Sequence, residues 1–381
     1  MTQRILIMAM FLGMMITTSA DANTNRVRDL GIKLGVMQPG ALNAITDVPG
    51  VRVGQVTLVK GKDIRTGVTA ILPHAGNMYQ EKVPAAIYIG NGFGKLAGYS
   101  QVEELGTLET PIILTNTLSV PAACDGLISY ALEQEGNEKV RSVNSVVGET
   151  NDGYLNDIRG RHIKEKHILK AIQNATEGPV EEGSVGAGTG TSCFGFKGGI
   201  GTSSRVLPEK LGGWTVGVLT QTNFGGVLQI AGVPVGVELG EYYFKKDLDD
   251  PSPDGSCMIV IMTDAPLDAR NLKRLAKRGM MGLARTGGIA SNGSGDYVIA
   301  VSTAESVRVA ANSESKFTSG EVLRNDSMSP LFMAAIEATE EAILNSLFMS
   351  ETMEGRDGHI VPGLPVDKVK AIMVNYRAIT P

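Results

Sequence analysis

A serine at the head of a chain carries its own base, because an α-amine with a pKa of about 7.7–8 can take the hydroxyl proton near neutral pH. Ser256 stands where such a serine could be made. It follows Gly255, which offers little bulk at a carbonyl that must bend toward an attacking hydroxyl. The plainer alternative is that Asp254-Gly255-Ser256 is only a turn before a strand, a common combination. Three other polar groups carry the same double reading. In Ser291-Asn292-Gly293-Ser294-Gly295-Asp296, Asp296 could orient Ser294 or a nearby amine, or the stretch is a tight turn or hairpin. In Gly148-Glu149-Thr150-Asn151-Asp152-Gly153-Tyr154, Glu149 could receive an ammonium or merely cap the next element. The Asn223 amide of Thr222-Asn223-Phe224-Gly225 is either a turn former or an oxyanion donor.

These residues matter because the more usual catalytic parts are missing. The four histidines (His74, His162, His167, His359) form no H-E-x-x-H, and no spacing of histidine, cysteine and carboxylate reads as a metal site. There is no G-x-S-x-G elbow and no phosphate loop ending in Gly-Lys-Ser/Thr, and nothing implies a cofactor. Gly186-Ala187-Gly188-Thr189-Gly190 looks like a nucleotide loop, but the downstream helix and acidic residue are not evident, so it reads as a structural turn.

The elements that would position this chemistry are short. Apolar strand-like runs occur at Ala85–Ile89, Thr110–Leu114, Val143–Val147, Trp214–Leu219, Met258–Met262 and Tyr297–Val301. Ala122–Glu133, Asn271–Ala284 and Leu331–Leu347 carry apolar residues at helical spacing. Such a mixture predicts helices packed on sheets, with 47 scattered glycines supplying tight turns. The sharpest boundary is the charged, proline-bearing stretch Lys245–Gly255, which switches at once to the buried-strand composition Ser256-Cys257-Met258-Ile259-Val260-Ile261-Met262.

Composition narrows the context. Arg4, the apolar-and-glycine run Ile5–Ile16 and Ala20-Asp21-Ala22 have the form of an export signal cleaved after Ala22, and the run is short for a membrane span. The expected mature protein is soluble and lies in the periplasm or outside the cell. A net charge of −5 without basic clusters argues against nucleic acid or an anionic membrane as partner. Three cysteines cannot all pair internally, and three lone buried thiols are the plainer expectation.

One ordered set of motifs goes further. Asn43-Ala44-Ile45-Thr46-Asp47-Val48-Pro49-Gly50-Val51-Arg52-Val53-Gly54 resembles the opening of the L-aminopeptidase/D-esterase and β-peptidyl aminopeptidase family. Gly67–Ala70, Gly90-Asn91-Gly92-Phe93-Gly94-Lys95, Leu114-Thr115-Asn116-Thr117, Gly186–Gly190, Thr263–Leu267, Arg285–Gly287 and Ser291–Asp296 match in the same order. The resemblance implies an αββα sandwich, four layers like those of the N-terminal-nucleophile hydrolases with a different connectivity. It implies a precursor that cuts itself between Gly255 and Ser256, leaving an α chain of residues 23–255 and a β chain of residues 256–381 in one domain. Ser256 would be the nucleophile, with Ser294 and Asp296 orienting it and its amine. Asn223 would donate to the oxyanion with help from the Gly295 N–H, and Glu149 would anchor the substrate ammonium. Asn151 falls where some members carry tyrosine as an oxyanion partner, and Asp296 where relatives carry glutamate.

The implied activity is removal of N-terminal residues, β-amino acids first among them, from short peptides and amides, without cofactor or metal. The alternative within the family is an L-aminopeptidase and D-amidase/esterase of the same mechanism. Acyl transfer, as in the related ornithine acetyltransferases, is disfavoured because those are threonine-headed. A non-enzymatic exported solute-binding protein is the alternative outside it. Family members also imply a homo-oligomer, a tetramer or larger, of the paired chains.

Overall fold

The computed structural model describes residues 25–243, 245, 255–318 and 320–380. The expected export segment 1–22 and most of the charged stretch before Gly255 lie outside the described residues. The five long strands of the seven-stranded larger sheet are β3 (Glu81–Gly92), β6 (Ile200–Val206), β7 (Thr215–Asn223), β8 (Ser256–Thr263) and β9 (Gly295–Ser302), in the order β3-β9-β8-β7-β6, and two two-residue strands, Thr107–Leu108 and Val309–Ala310, pair with β3. The smaller sheet runs β1 (Arg52–Lys60), β2 (Ile64–Leu72), β4 (Ile112–Asn116), β5 (Val146–Thr150). Helices α1 (Val120–Leu132) and α2 (Glu165–Gln173) cover the smaller sheet, while α3 (Ala269–Arg285) and α4 (Ser329–Phe348) cover the larger. The result is the expected four-layer αββα sandwich.

The period-two alternation of strands explains why the two central strands read as unbroken apolar runs. Along β8, Cys257, Ile259 and Ile261 face α3 and α4, whereas Met258, Val260 and Met262 face the smaller sheet. β9 divides the same way, with Val298 and Ala300 outward and Ile299 and Val301 inward. A third core, between the smaller sheet and its helices, joins Val68, Ala70, Ile113 and Val147 to Leu127 and Ile168. The helices start where side chains can close their ends. Asp268 accepts the Asn271 N–H at 2.7 Å to cap α3, and prolines occupy the first turns of α1 and α4.

Sequence periodicity located six of these strands and α1, α3 and α4, with edges shifted by a few residues. Strands β1, β2 and β6 carry too few apolar residues in regular alternation to stand out. Gly186–Gly188 forms a buried 3-10 turn, and a side chain at Gly186 (φ +50°) would collide with Gln55 and Thr69, which agrees with a structural role. All three thiols are free; Cys193 and Cys257 are buried, and Cys124 only partly so.

Candidate active site

Four backbone positions fall in one register row across the larger sheet: Asn223 on β7 pairs with Ser256 on β8, Ser256 with Gly295 on β9, and Gly295 with Gly92 on β3. Because β8 and β9 run parallel, their N-terminal ends, Ser256 and Gly295, lie side by side. The Gly295 N–H is aimed at two oxygens, the Gly255 carbonyl at 3.2 Å and Ser256 Oγ at 3.2 Å. Gly255 itself is wedged against the end of β7, where an added Cβ would lie 2.5 Å from Phe224 Cα. Crowding by a neighbouring strand thus demands glycine here.

The Asn223 amide is fixed by its oxygen. Its Oδ1 accepts the Ser192 N–H at 3.0 Å, which leaves the donor Nδ2 without a partner among the described residues. Ser192 belongs to a small hairpin, Ser192–Cys193 with Phe196–Lys197. Lys197 anchors that hairpin from within the protein: its buried Nζ donates to the Gly188 and Gly198 carbonyls at 3.0 and 2.6 Å. Burial pushes this amine down to about 7.

Asp296 and Ser294 flank Gly295, and both are 1% exposed. Neither the Ser294 hydroxyl nor either Asp296 carboxylate oxygen makes a full hydrogen bond in the unbroken chain. Burial lifts the Asp296 carboxyl from 3.8 to about 6, against a partial pull downward from the nearby Ser294 hydroxyl and Cys257 N–H. A bulge in β3 opposite Asp296 and Tyr297 turns the Asn91 side chain toward this loop. There its Nδ2 donates to the carbonyls of Ser291 (3.0 Å), Asn292 (3.2 Å) and Ser294.

The smaller sheet supplies the opposite wall. Glu149, buried at the end of β5, accepts the Lys95 N–H at 2.9 Å on one oxygen and the Thr117 hydroxyl on the other. Desolvation raises its carboxyl above the usual range despite those two hydrogen bonds. Gln221, two residues before Asn223, stitches the sheets together beside the site. Its Nε2 donates to the Thr115 carbonyl (3.1 Å), Thr150 Oγ1 (2.9 Å) and the Ala187 carbonyl (2.9 Å).

Between the walls lies a cavity of about 850 Å³, lined by Ser256, Asn223, Glu149 and Asn151 among others, and of a size that suits small-molecule ligands. Asn151 is exposed and spends its Oδ1 on an Asx turn to the Gly153 N–H at 2.9 Å, so only its amide nitrogen is left to face a ligand. All the residues singled out from sequence meet here. Ser256, Asn223, Glu149 and Asn151 line the cavity, Gly255 and Gly295 frame Ser256, and Ser294 and Asp296 lie behind it in the outer layer. Sequence reasoning assigned no role to Asn91, Lys95, Thr117, Ser192 or Gln221. The first three lay within matched motifs, which was the available signal.

A serine at a strand start, a two-acceptor N–H and an αββα sandwich together define an N-terminal-nucleophile type hydrolase. The chain belongs to peptidase family S58, whose profile matches residues 43–361. It is 41% identical over 394 residues to the β-peptidyl aminopeptidase BapA of Sphingosinicella microcystinivorans, covering 97% of each chain. Among solved structures, a Burkholderia sp. β-aminopeptidase superposes with a TM-score of 0.85 at 44% identity, over 92% of this chain and 99% of that one. The L-aminopeptidase D-Ala-esterase/amidase of Ochrobactrum anthropi, described as a prototype for the serine aminopeptidases and a variant of the Ntn hydrolase fold, superposes with a TM-score of 0.84 at 35% identity, over 93% and 99%. The protein is a serine aminopeptidase of the N-terminal-nucleophile type.

Proposed function

We propose that this aminopeptidase is exported, cuts itself between Gly255 and Ser256, and then releases single N-terminal residues, β-amino acids first among them, from short peptides and amides. The observation that carries the reading is the Gly295 N–H, which lies within 3.2 Å of both the Gly255 carbonyl oxygen and Ser256 Oγ. A donor aimed at the oxygen that develops charge, beside the attacking atom, is what an oxyanion hole requires.

In maturation, Ser256 Oγ attacks the Gly255 carbonyl carbon, its proton passes to the departing nitrogen, and the C–N bond breaks to leave an ester. The α-amine is free from that point, and water then hydrolyses the ester to give the Gly255 carboxylate and the Ser256 hydroxyl. In turnover the amine takes the hydroxyl proton as Oγ attacks the substrate carbonyl. Asn223 Nδ2 and the Gly295 N–H stabilise the oxyanion, the proton moves to the leaving amine, and water resolves the acyl-enzyme. Asp296 and Ser294 orient the amine. Their unmet hydrogen-bonding capacity in the unbroken chain supports this role, since the amine exists only after the cut. Glu149 takes the substrate ammonium, which restricts the enzyme to free N-termini.

The preference for β-residues takes its support from the β-peptidyl relatives, and export from residues 1–22. Assembly into a tetramer or larger ring rests on the family resemblance, and size-exclusion chromatography of the cut protein tests it. On a denaturing gel the purified protein should run as two fragments, the smaller beginning Ser-Cys-Met-Ile. Ser256→Ala should run as one and hydrolyse nothing. An uncut, active Ser256→Ala protein overturns the scheme, and a panel of β-alanyl, L-alanyl and D-alanyl amides ranks the N-terminal residue.

A further inference from the structure

One wall of the cavity comes from far along the chain. The hairpin Met353–Glu354 with Ile360–Val361 folds over the loop that follows Glu149. The Arg356 N–H donates to the Leu155 carbonyl at 2.8 Å, His359 Nδ1 bonds the Tyr154 carbonyl at 2.8 Å, and the Tyr154 and His359 rings stack at 4.3 Å. Arg356 lines the same cavity as Ser256 and Glu149.

The guanidinium of Arg356 is only partly used. Its Nε lies 3.2 Å from Asp357, a largely exposed carboxylate whose pull is screened by solvent, but makes no hydrogen bond, its two Nη groups make none among the described residues, and Asp157 feels its charge only at longer range. Among the described residues the cavity's other cations are Lys245, whose Nζ donates to the Gly240 carbonyl and lies 3.9 Å from Glu241, and Lys95, whose Nζ sits 5.8 Å from the centre of the Phe93 ring. A planar fork of free donors matches a carboxylate bidentately.

We infer that Arg356 binds the C-terminal carboxylate of the substrate, which makes the enzyme selective for dipeptides and other very short free peptides over their amides. This rests on the proposed role of Glu149: a zwitterionic dipeptide has its ammonium on Glu149, its scissile carbonyl at Ser256 and its carboxylate on the hairpin. A C-terminal amide keeps the first two contacts and loses the third.

The test compares kcat/KM for a dipeptide Xaa-Leu and for Xaa-Leu-amide, where Xaa is the N-terminal residue cut fastest. The free acid should be preferred by about tenfold, the worth of one charge-assisted hydrogen-bonded pair. Arg356→Gln should bring the ratio close to one by slowing the acid alone, and Arg356→Lys should give an intermediate ratio. The amide serves as the internal control for folding. An acid-to-amide ratio near one in the wild type, an unchanged ratio in Arg356→Gln, or equal losses on both substrates overturns the inference. If the wild type cuts neither substrate, the aminopeptidase scheme itself fails, and this inference with it.

Discussion

The burial of Asp296 makes a quantitative claim about the uncut chain. With its carboxyl at about 6 in the folded protein against 3.8 as a free side chain, the proton is held more tightly when folded. At 1.36 kcal/mol per pH unit, the difference of roughly two units amounts to about 3 kcal/mol. The sign follows from which state binds more protons. Below pH 3.8 both states are protonated and the contribution to stability is complete. It is lost as pH rises through about 6, because the folded chain must then hold a buried charge with no full hydrogen bond. Residue 296 is 1% exposed, so solvent screening does little to reduce the effect. The assay uses the uncut Ser256→Ala protein and the Ser256→Ala/Asp296→Asn double variant, unfolded in urea at pH 4, 5, 6 and 7.5. The first should lose about 2.4 kcal/mol more than the second between pH 4 and 7.5, because part of the full difference already falls below pH 4 and every other titrating group cancels in the comparison. Parallel stability curves would mean that Asp296 is already satisfied in the unbroken chain, and the argument that it awaits an amine would fail.

Three further outcomes follow from the same geometry. Glu149→Gln should raise KM for substrates with a free N-terminus by at least tenfold while leaving the two-fragment pattern on a gel intact, because the carboxylate takes no part in the cut. Asn223→Ala should lower kcat by about 10²–10³ with little change in KM, as measured by steady-state kinetics, because it removes one oxyanion donor. Gln221→Met should destabilise the fold by about 2–4 kcal/mol in urea titration, since two buried carbonyls and a hydroxyl between the sheets lose their donor.

What could be read from the sequence, and what could not, divides along a physical line. β8 and β9 were legible because both their faces are buried by apolar side chains, and α3 because its polar and apolar residues separate onto two faces. β6 was not legible, although its first six residues are buried, because it buries Thr202, Ser203, Ser204 and Arg205. Each polar group there finds a partner: Thr202 Oγ1 donates to the Val218 carbonyl at 2.7 Å, Ser203 Oγ to the Ala338 carbonyl at 2.8 Å, Ser204 Oγ to Asp47 at 2.6 Å, and Arg205 to Glu341 at 2.7 Å. A strand that meets its core through hydrogen bonds leaves no hydrophobic signature. The site divides similarly. Ser256, Asp296 and Glu149 were found, because serine and carboxylates announce chemistry by residue type, whereas Asn91, Thr117 and Gln221 use polar side chains whose partners lie far off in sequence. Lys95 and Ser192 act through backbone N–H groups that any residue but proline would supply, so residue type carries no trace of their role.

In the proposed scheme the register row lets one site serve two reactions. In the uncut chain, the Gly295 N–H is shared between the Gly255 carbonyl and Ser256 Oγ, so one of its acceptors belongs to the bond that the proposed cut would break. Breaking that bond would free the carbonyl to leave, and the same donor would then face whatever carbonyl next approaches Oγ from the cavity. The row itself does not change, because Ser256 is held in place by Asn223 on one side and Gly295 on the other through strand pairing that begins after the cut. What the cut would change is the α-nitrogen, from an amide that cannot act as a base to an amine that can. Asp296 and Ser294, buried and under-bonded beforehand, supply the polar surroundings for that new group. In the proposed scheme, maturation and turnover share the Gly295 N–H as oxyanion donor and differ in their base, and Glu149→Gln is expected to slow only the second.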